Sequence, residues 1–150
     1  MDTSRAPLTP PEEAVWRALA RLLVLLPRAL DADLRDAARL SLAEYAVLMN
    51  LSEAPNRQIR MTDLANRVGL SLSRISRMLD GFAAQGLIVK DRVADDARGS
   101  LATLTDAGLA RLRVAYPAHL ASVRDRVVDH LGELDLAGLA TALQRVERGL

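Results

Sequence analysis

Between Asn56 and Met78 the chain carries five arginines, Arg57, Arg60, Arg67, Arg74 and Arg77, against one acid, Asp63, a local charge of +4. The net charge of all 150 residues is only +1. The basic character is therefore a local concentration and not a bulk property. Clustered guanidinium groups neutralise phosphates and release condensed counterions, the main source of affinity for a nucleic-acid duplex. Arginine identity says little on its own, because Lys90 is the sole lysine among 20 basic residues; the clustering is what informs. Ser71, Ser73 and Ser76 interleave with Arg74 and Arg77. Ser71 and Ser73 at a helix start can offer hydroxyl and backbone donors to phosphate. Arg74 and Arg77 are long enough to reach base edges, where an arginine–guanine pair adds about 1–3 kcal/mol of discrimination. Ser76 is a shorter contact. The competing reading is a solvated helix face laced with arginine salt bridges.

These residues need a rigid element to present them. Ser71 is a suitable N-cap, and Ile75, Met78, Leu79 and Phe82 then recur at i, i+3, i+4 and i+7, the period of one buried helix face. Ser73, Arg74, Ser76, Arg77 and Asp80 fall on the other side. A short helix precedes it, with Thr62 as the expected N-cap, Leu64, Ala65 and Val68 as its apolar face, and Gly69 supplying a left-handed stop. Gly86 ends the second helix. Leu87-Ile88-Val89 reads as a strand continuing into Lys90, Asp91 and Arg92, and Leu101 to Leu104 as its return. The polar loop from Val93 to Ser100 between them is expected to project as a flexible arm. Helix, turn, helix and ribbon in this order describe a winged helix-turn-helix. Gly81 in the reading helix costs about 1 kcal/mol relative to alanine, and close packing is the one role the sequence offers for it.

The flanks are helical. Residues 1–11 hold three prolines and no periodicity, which predicts an extended or mobile arm. A first helix should begin near Pro11 or Glu12, with Val15, Trp16, Leu19, Leu22, Leu23 and Leu26 at helical spacing. Leu30 and Leu34 keep the phase past Pro27, so a kink is expected there and not a break. The apolar surface of this helix exceeds what one small domain needs, and points to a subunit interface. A second helix should run from Ser41, its N-cap, to about Glu53, with Tyr45, Leu48 and Met49 inward. After the winged segment Thr105 caps a long fifth helix through Pro117 to Gly132, and Asp135 caps a last one with Leu136, Leu139, Leu143 and Val146 on one side. The fold class is thus mainly α with a small β-hairpin. Its N- and C-terminal helices (about 11–38 and 105–150) form a dimerisation layer around a DNA-binding region at about 41–104.

The run from Leu64 to Gly108, together with LSLAEYAVLMNLSEAP before it and LTDAG at its end, resembles the MarR family of bacterial transcriptional regulators over nearly the whole chain. Asp96-Ala97-Arg98 matches the Asp-x-Arg of that family's wing. The resemblance implies that Arg98 enters the minor groove, where narrow A·T-rich stretches concentrate negative potential, and that Asp96 orients it or a neighbouring basic side chain. It implies a homodimer on a palindromic operator, and most often a repressor. It also places an effector pocket where the first, second and fifth helices meet the winged domain. Trp16, Tyr45 and His119 are the candidates to line such a pocket, for a small aromatic or phenolic ligand. Relatives that sense peroxide do so through a cysteine, and this chain has none.

Other chemistries find little footing. Without cysteine there is no disulfide, thiolate zinc site or thiol nucleophile, and the chain reads as a cytoplasmic protein. Only 3% of residues are aromatic, too few for single-strand stacking platforms. The longest apolar run, Leu22 to Leu26, is far short of the roughly 20 residues a membrane span needs. His119 and His130, both expected in the fifth helix, would lie about 16 Å apart at 1.5 Å per residue, too far to share a metal. No catalytic residues, metal site or cofactor are expected. The function expected is a homodimeric, sequence-specific DNA-binding regulator released by a small-molecule effector. The alternative is a winged-helix interaction module that does not bind DNA.

Overall fold

The computed structural model describes residues 6–92 and 100–149. Among these residues six α-helices and three strands follow in the order α1 (Pro10–Ala38), α2 (Leu42–Glu53), β1 (Gln58–Arg60), α3 (Met61–Val68), α4 (Leu72–Ala84), β2 (Ile88–Arg92), β3 (Ser100–Leu104), α5 (Asp106–Arg126) and α6 (Leu136–Glu147). The strands form one antiparallel sheet in the order β1-β3-β2. Ile59 lies opposite Ala102, and Val89 opposite Thr103. The expected two-stranded ribbon is therefore three-stranded. A three-residue strand with one buried side chain, Ile59, carries no periodicity to read.

Local chemistry sets most boundaries. The Ser41 hydroxyl accepts from Glu44 N–H at 3.1 Å while the Glu44 carboxylate takes the Ser41 N–H at 2.7 Å, a reciprocal cap at the start of α2. At the start of α1 the Thr9 N–H and hydroxyl both donate to the Glu12 carboxylate at 2.7 Å, and Pro10 and Pro11 belong to the helix and not to the arm expected there. Thr105 and Asp135 cap α5 and α6 as expected, accepting from Gly108 and Gly138. Thr62 does not cap α3: the helix starts at Met61 directly from β1, with Arg60 in the cap position.

Both prolines are absorbed, and α1 and α5 run unbroken through Pro27 and Pro117. However, α5 stops at Arg126, and His130 lies in the following short 3-10 turn (128–130). The two histidines do not share a helix, so the spacing argument made for them falls away.

The core lies where the C-terminal third of α1 meets α2 and the winged elements. Leu34, Val47, Leu48, Leu51, Leu64, Ile75, Leu79 and Phe82 are its largest fully enclosed side chains. The N-terminal two thirds of α1 and all of α6 stand outside it. Val15, Trp16, Leu22, Leu23, Val24 and Leu25 are all about half exposed or more, as are Leu136, Leu143 and Val146. No described helix is long and apolar enough to cross a membrane.

Candidate nucleic-acid interface

The helix-turn-helix is built by α3 and α4. Gly69 takes φ +68° and ends α3, and the Leu70 N–H returns to the Ala65 carbonyl at 3.0 Å. Ser71 then caps α4, its hydroxyl accepting from Arg74 N–H at 3.4 Å and lying 3.2 Å from the Ser73 hydroxyl. Ile75, Leu79 and Phe82 drive α4 onto the core, which fixes the opposite face outward. On that face Ser71, Ser73, Arg74, Arg77 and Asp80 are exposed, while Ser76 is half-buried. Among the described residues neither Arg74 nor Arg77 forms a salt bridge. The arginine-laced ion-pair face, the competing expectation, is not what α4 presents.

Several other charges near the site are engaged. Arg57 donates to Asp106 at 2.7 Å, tying the turn before β1 to the start of α5. Lys90 of β2 donates to Asp80 of α4 at 2.5 Å and so anchors the wing to the reading helix. Asp31 accepts from Arg35 and from the Leu42 N–H at the α1–α2 junction. These bonds hold its carboxyl below the usual range, and the charge of Arg74 adds to the effect. None of these pairings is legible from sequence spacing, except Asp31–Arg35 at i, i+4. Asp96 and Arg98 lie outside the described residues, as does the loop expected to be a flexible arm.

Of the three pocket candidates the structure brings two together. The rings of Tyr45 in α2 and His119 in α5 lie 4.3 Å apart, tilted by 37°. Burial pushes the Tyr45 phenol up and the His119 imidazole down, and His119 Nδ1 is enclosed without a hydrogen-bond partner. Trp16 does not join them. It stands 55% exposed beside Pro11, Val15 and Leu19. At 1.5 Å per residue it is about 26 Å along α1 from Asp33, where that helix meets α5. Helical spacing placed Trp16 on the right helix but could not show at which level of it α2 and α5 pack.

Two helices joined by a tight glycine turn, followed by an antiparallel strand pair, define the winged helix-turn-helix class. A sequence profile of the MarR family matches residues 40–99. The chain is similar to Sco3205, a MarR family transcriptional regulator from Streptomyces coelicolor solved in complex with DNA. That likeness has a TM-score of 0.85, with 33% identity over 97% of this chain and 92% of that one. It is similar also to AbsC, a MarR family regulator of the same organism, with a TM-score of 0.82 and 34% identity over 97% of both chains. The HTH-type transcriptional repressor YetL of Bacillus subtilis (strain 168) is 29% identical over 106 residues. That match covers 63% of this chain and 64% of YetL, less than two thirds of that relative's length. The chain belongs to the MarR family of transcriptional regulators, which are not enzymes.

Proposed function

We propose that the chain binds duplex DNA as a homodimer, reads a palindromic operator with α4, and represses transcription until a small aromatic or phenolic effector lowers its affinity. One observation carries the reading: Arg74 and Arg77 project from the exposed face of a well-capped helix, and among the described residues neither forms a salt bridge. Two guanidinium groups exposed on a rigid rod suit a polyanion with acceptor-bearing edges. Ser71 and Ser73 at the N-terminus of that rod meet phosphate, Ser76 makes a shorter contact, and Arg98 with Asp96 works from the wing. The solved complex of Sco3205 with DNA supports the same partner here.

The apolar surface left open on residues 10–26 of α1 and on α6 supports the dimer. A helix apolar on all sides, as at Leu22-Leu23-Val24-Leu25, is a helix meant to be enclosed. In this division residues of about 11–38 and 105–150 pair the subunits, and about 41–104 bind DNA. Tyr45 and His119 are the contacts proposed for the effector. An effector acts only through a difference in its affinity for the DNA-competent and the released arrangements of the dimer.

Selection of bound sequences from a random duplex library tests this reading. The expected result is an inverted repeat with half-site centres about 10 base pairs apart. Failure to enrich any sequence, with no salt-dependent retention on random duplex, would instead leave a winged-helix interaction module.

A further inference from the structure

Asp33, in the C-terminal third of α1, accepts both arms of the Arg126 guanidinium from α5, Nε to Oδ2 at 2.6 Å and Nη2 to Oδ1 at 2.8 Å. It also accepts the Ser122 hydroxyl, which is buried. The three groups sit at the level where both helices leave the core. On one side, Leu34 and Ala38 of α1 and Leu112 and Ala115 of α5 are packed within it. On the other, α1 runs out into its exposed apolar segment.

The packing beside this clamp is thin. Ala37, Ala118 and Ala121 line an open groove of about 470 Å³ together with Asp33, Ser122 and Arg126. Alanines offer only low ridges, so side-chain interlocking constrains the crossing of α1 and α5 less at this level than longer side chains would. A bidentate fork does have a fixed geometry, because the guanidinium and carboxylate are both planar.

We infer that Asp33, Ser122 and Arg126 form a positioning joint that fixes the crossing of α1 and α5 where both leave the core they share with the DNA-reading head, and so sets the direction in which the dimerisation layer departs from that head and the gap between the two reading helices. The inference rests on the dimer proposed above. Leverage makes a small joint sufficient: from Asp33 to the start of α1 is about 35 Å of helix at 1.5 Å per residue. A turn of about 6° at the clamp moves the far end by about 3.5 Å, the rise of one base pair.

The chain has no cysteine, so Ala84→Cys, at an exposed position near the end of α4, introduces a unique spin label on each head. Pulsed dipolar spectroscopy of the intact dimer then reads the gap directly. The parent should give one narrow distance. Asp33→Asn and Arg126→Lys, the second keeping the charge but losing the fork, should shift or broaden it by about 3 Å, while Ser122→Ala shifts it less. The same two variants should lose about tenfold of the preference for the selected operator over one lengthened by a base pair, equivalent to about 1.4 kcal/mol. Their affinity for random duplex should stay at the parent value.

Two soluble variants with lowered melting temperatures but unchanged distances and unchanged spacing preference would show a merely structural ion pair and overturn the inference alone. Absence of dipolar coupling in the parent would remove the dimer itself, and with it both readings.

Discussion

Arg74 and Arg77 stand on the exposed face of α4, and among the described residues neither forms a salt bridge. Truncating either should cost about 1–3 kcal/mol of specific DNA binding and relax sequence preference at one operator position. Fluorescence anisotropy on matched and singly altered duplexes measures both effects. Arg98→Ala, on the wing, should weaken binding, most on duplexes with narrow A·T-rich flanks, and lower the salt slope by about one. Gly81 behaves otherwise. The sequence offered only a packing role, yet a Cβ built there meets nothing within 4 Å. Gly81→Ala should therefore raise stability by about 1 kcal/mol through helix propensity, read as a higher denaturant midpoint.

His119 makes a pH prediction. Burial lowers its folded pKa below 6.5, so folding holds it neutral and the unfolded chain binds the proton more readily. Stability should be level above about pH 7 and decline as pH falls through 6.5 toward the folded value. His119→Phe, which keeps a ring against Tyr45, should flatten that decline in unfolding curves taken from pH 7 to 5. Asp33 works lower. Its pKa falls from 3.8 to about 2, through the Arg126 hydrogen bonds first and Ser122 second, so its contribution persists above about pH 4 and is lost between there and 2.

Elements were legible where their signals are local. Ser41, Ser71, Thr105 and Asp135 were all readable as caps, because a capping oxygen and the backbone N–H it accepts from lie within three residues. Gly69 and Gly86 were readable as stops, and both take positive φ. Thr62 failed as a cap because the buried side chain of Met61 and the incoming strand β1 decide where α3 begins. The end of α5 was misread because apolar residues at Val127 and Leu131 continue the period after the backbone has left it.

The start of α5 shows how a short motif carries a tertiary requirement. Thr105 donates its hydroxyl to the Gly86 and Leu87 carbonyls, 2.8 and 2.9 Å away, while accepting from Gly108. A Cβ at Gly108 would collide with the Leu87 carbonyl oxygen and the Leu104 side chain. Gly108→Ala should cost about 1–3 kcal/mol by overpacking, visible as a lowered urea midpoint. The glycine is there for the close approach of helix and wing, since its own φ is ordinary.

At the scale of the whole molecule two surfaces remain unfilled, an arginine-bearing rod and an apolar layer. Composition and periodicity made both readable, because each depends on which residue types share a helix face. What joins them was not readable. The Asp33–Arg126 fork links residues 93 apart in sequence, and no spacing rule reaches that far. Trp16 illustrates the same limit, since its helix was correctly expected but its level along that helix was not. Effector specificity, if it rests on Tyr45 and His119, is likewise a property of how α2 and α5 pack and not of either stretch alone.

The central claim is that a pair of subunits presents two arginine-bearing helices to one duplex. Sedimentation of the purified chain with a selected operator, repeated over a range of salt, tests it most directly. The account predicts two chains per duplex and a log–log affinity that falls linearly with salt, losing about 0.9 of slope for each phosphate contact removed. A complex of one chain per duplex, or an affinity indifferent to salt, would contradict it.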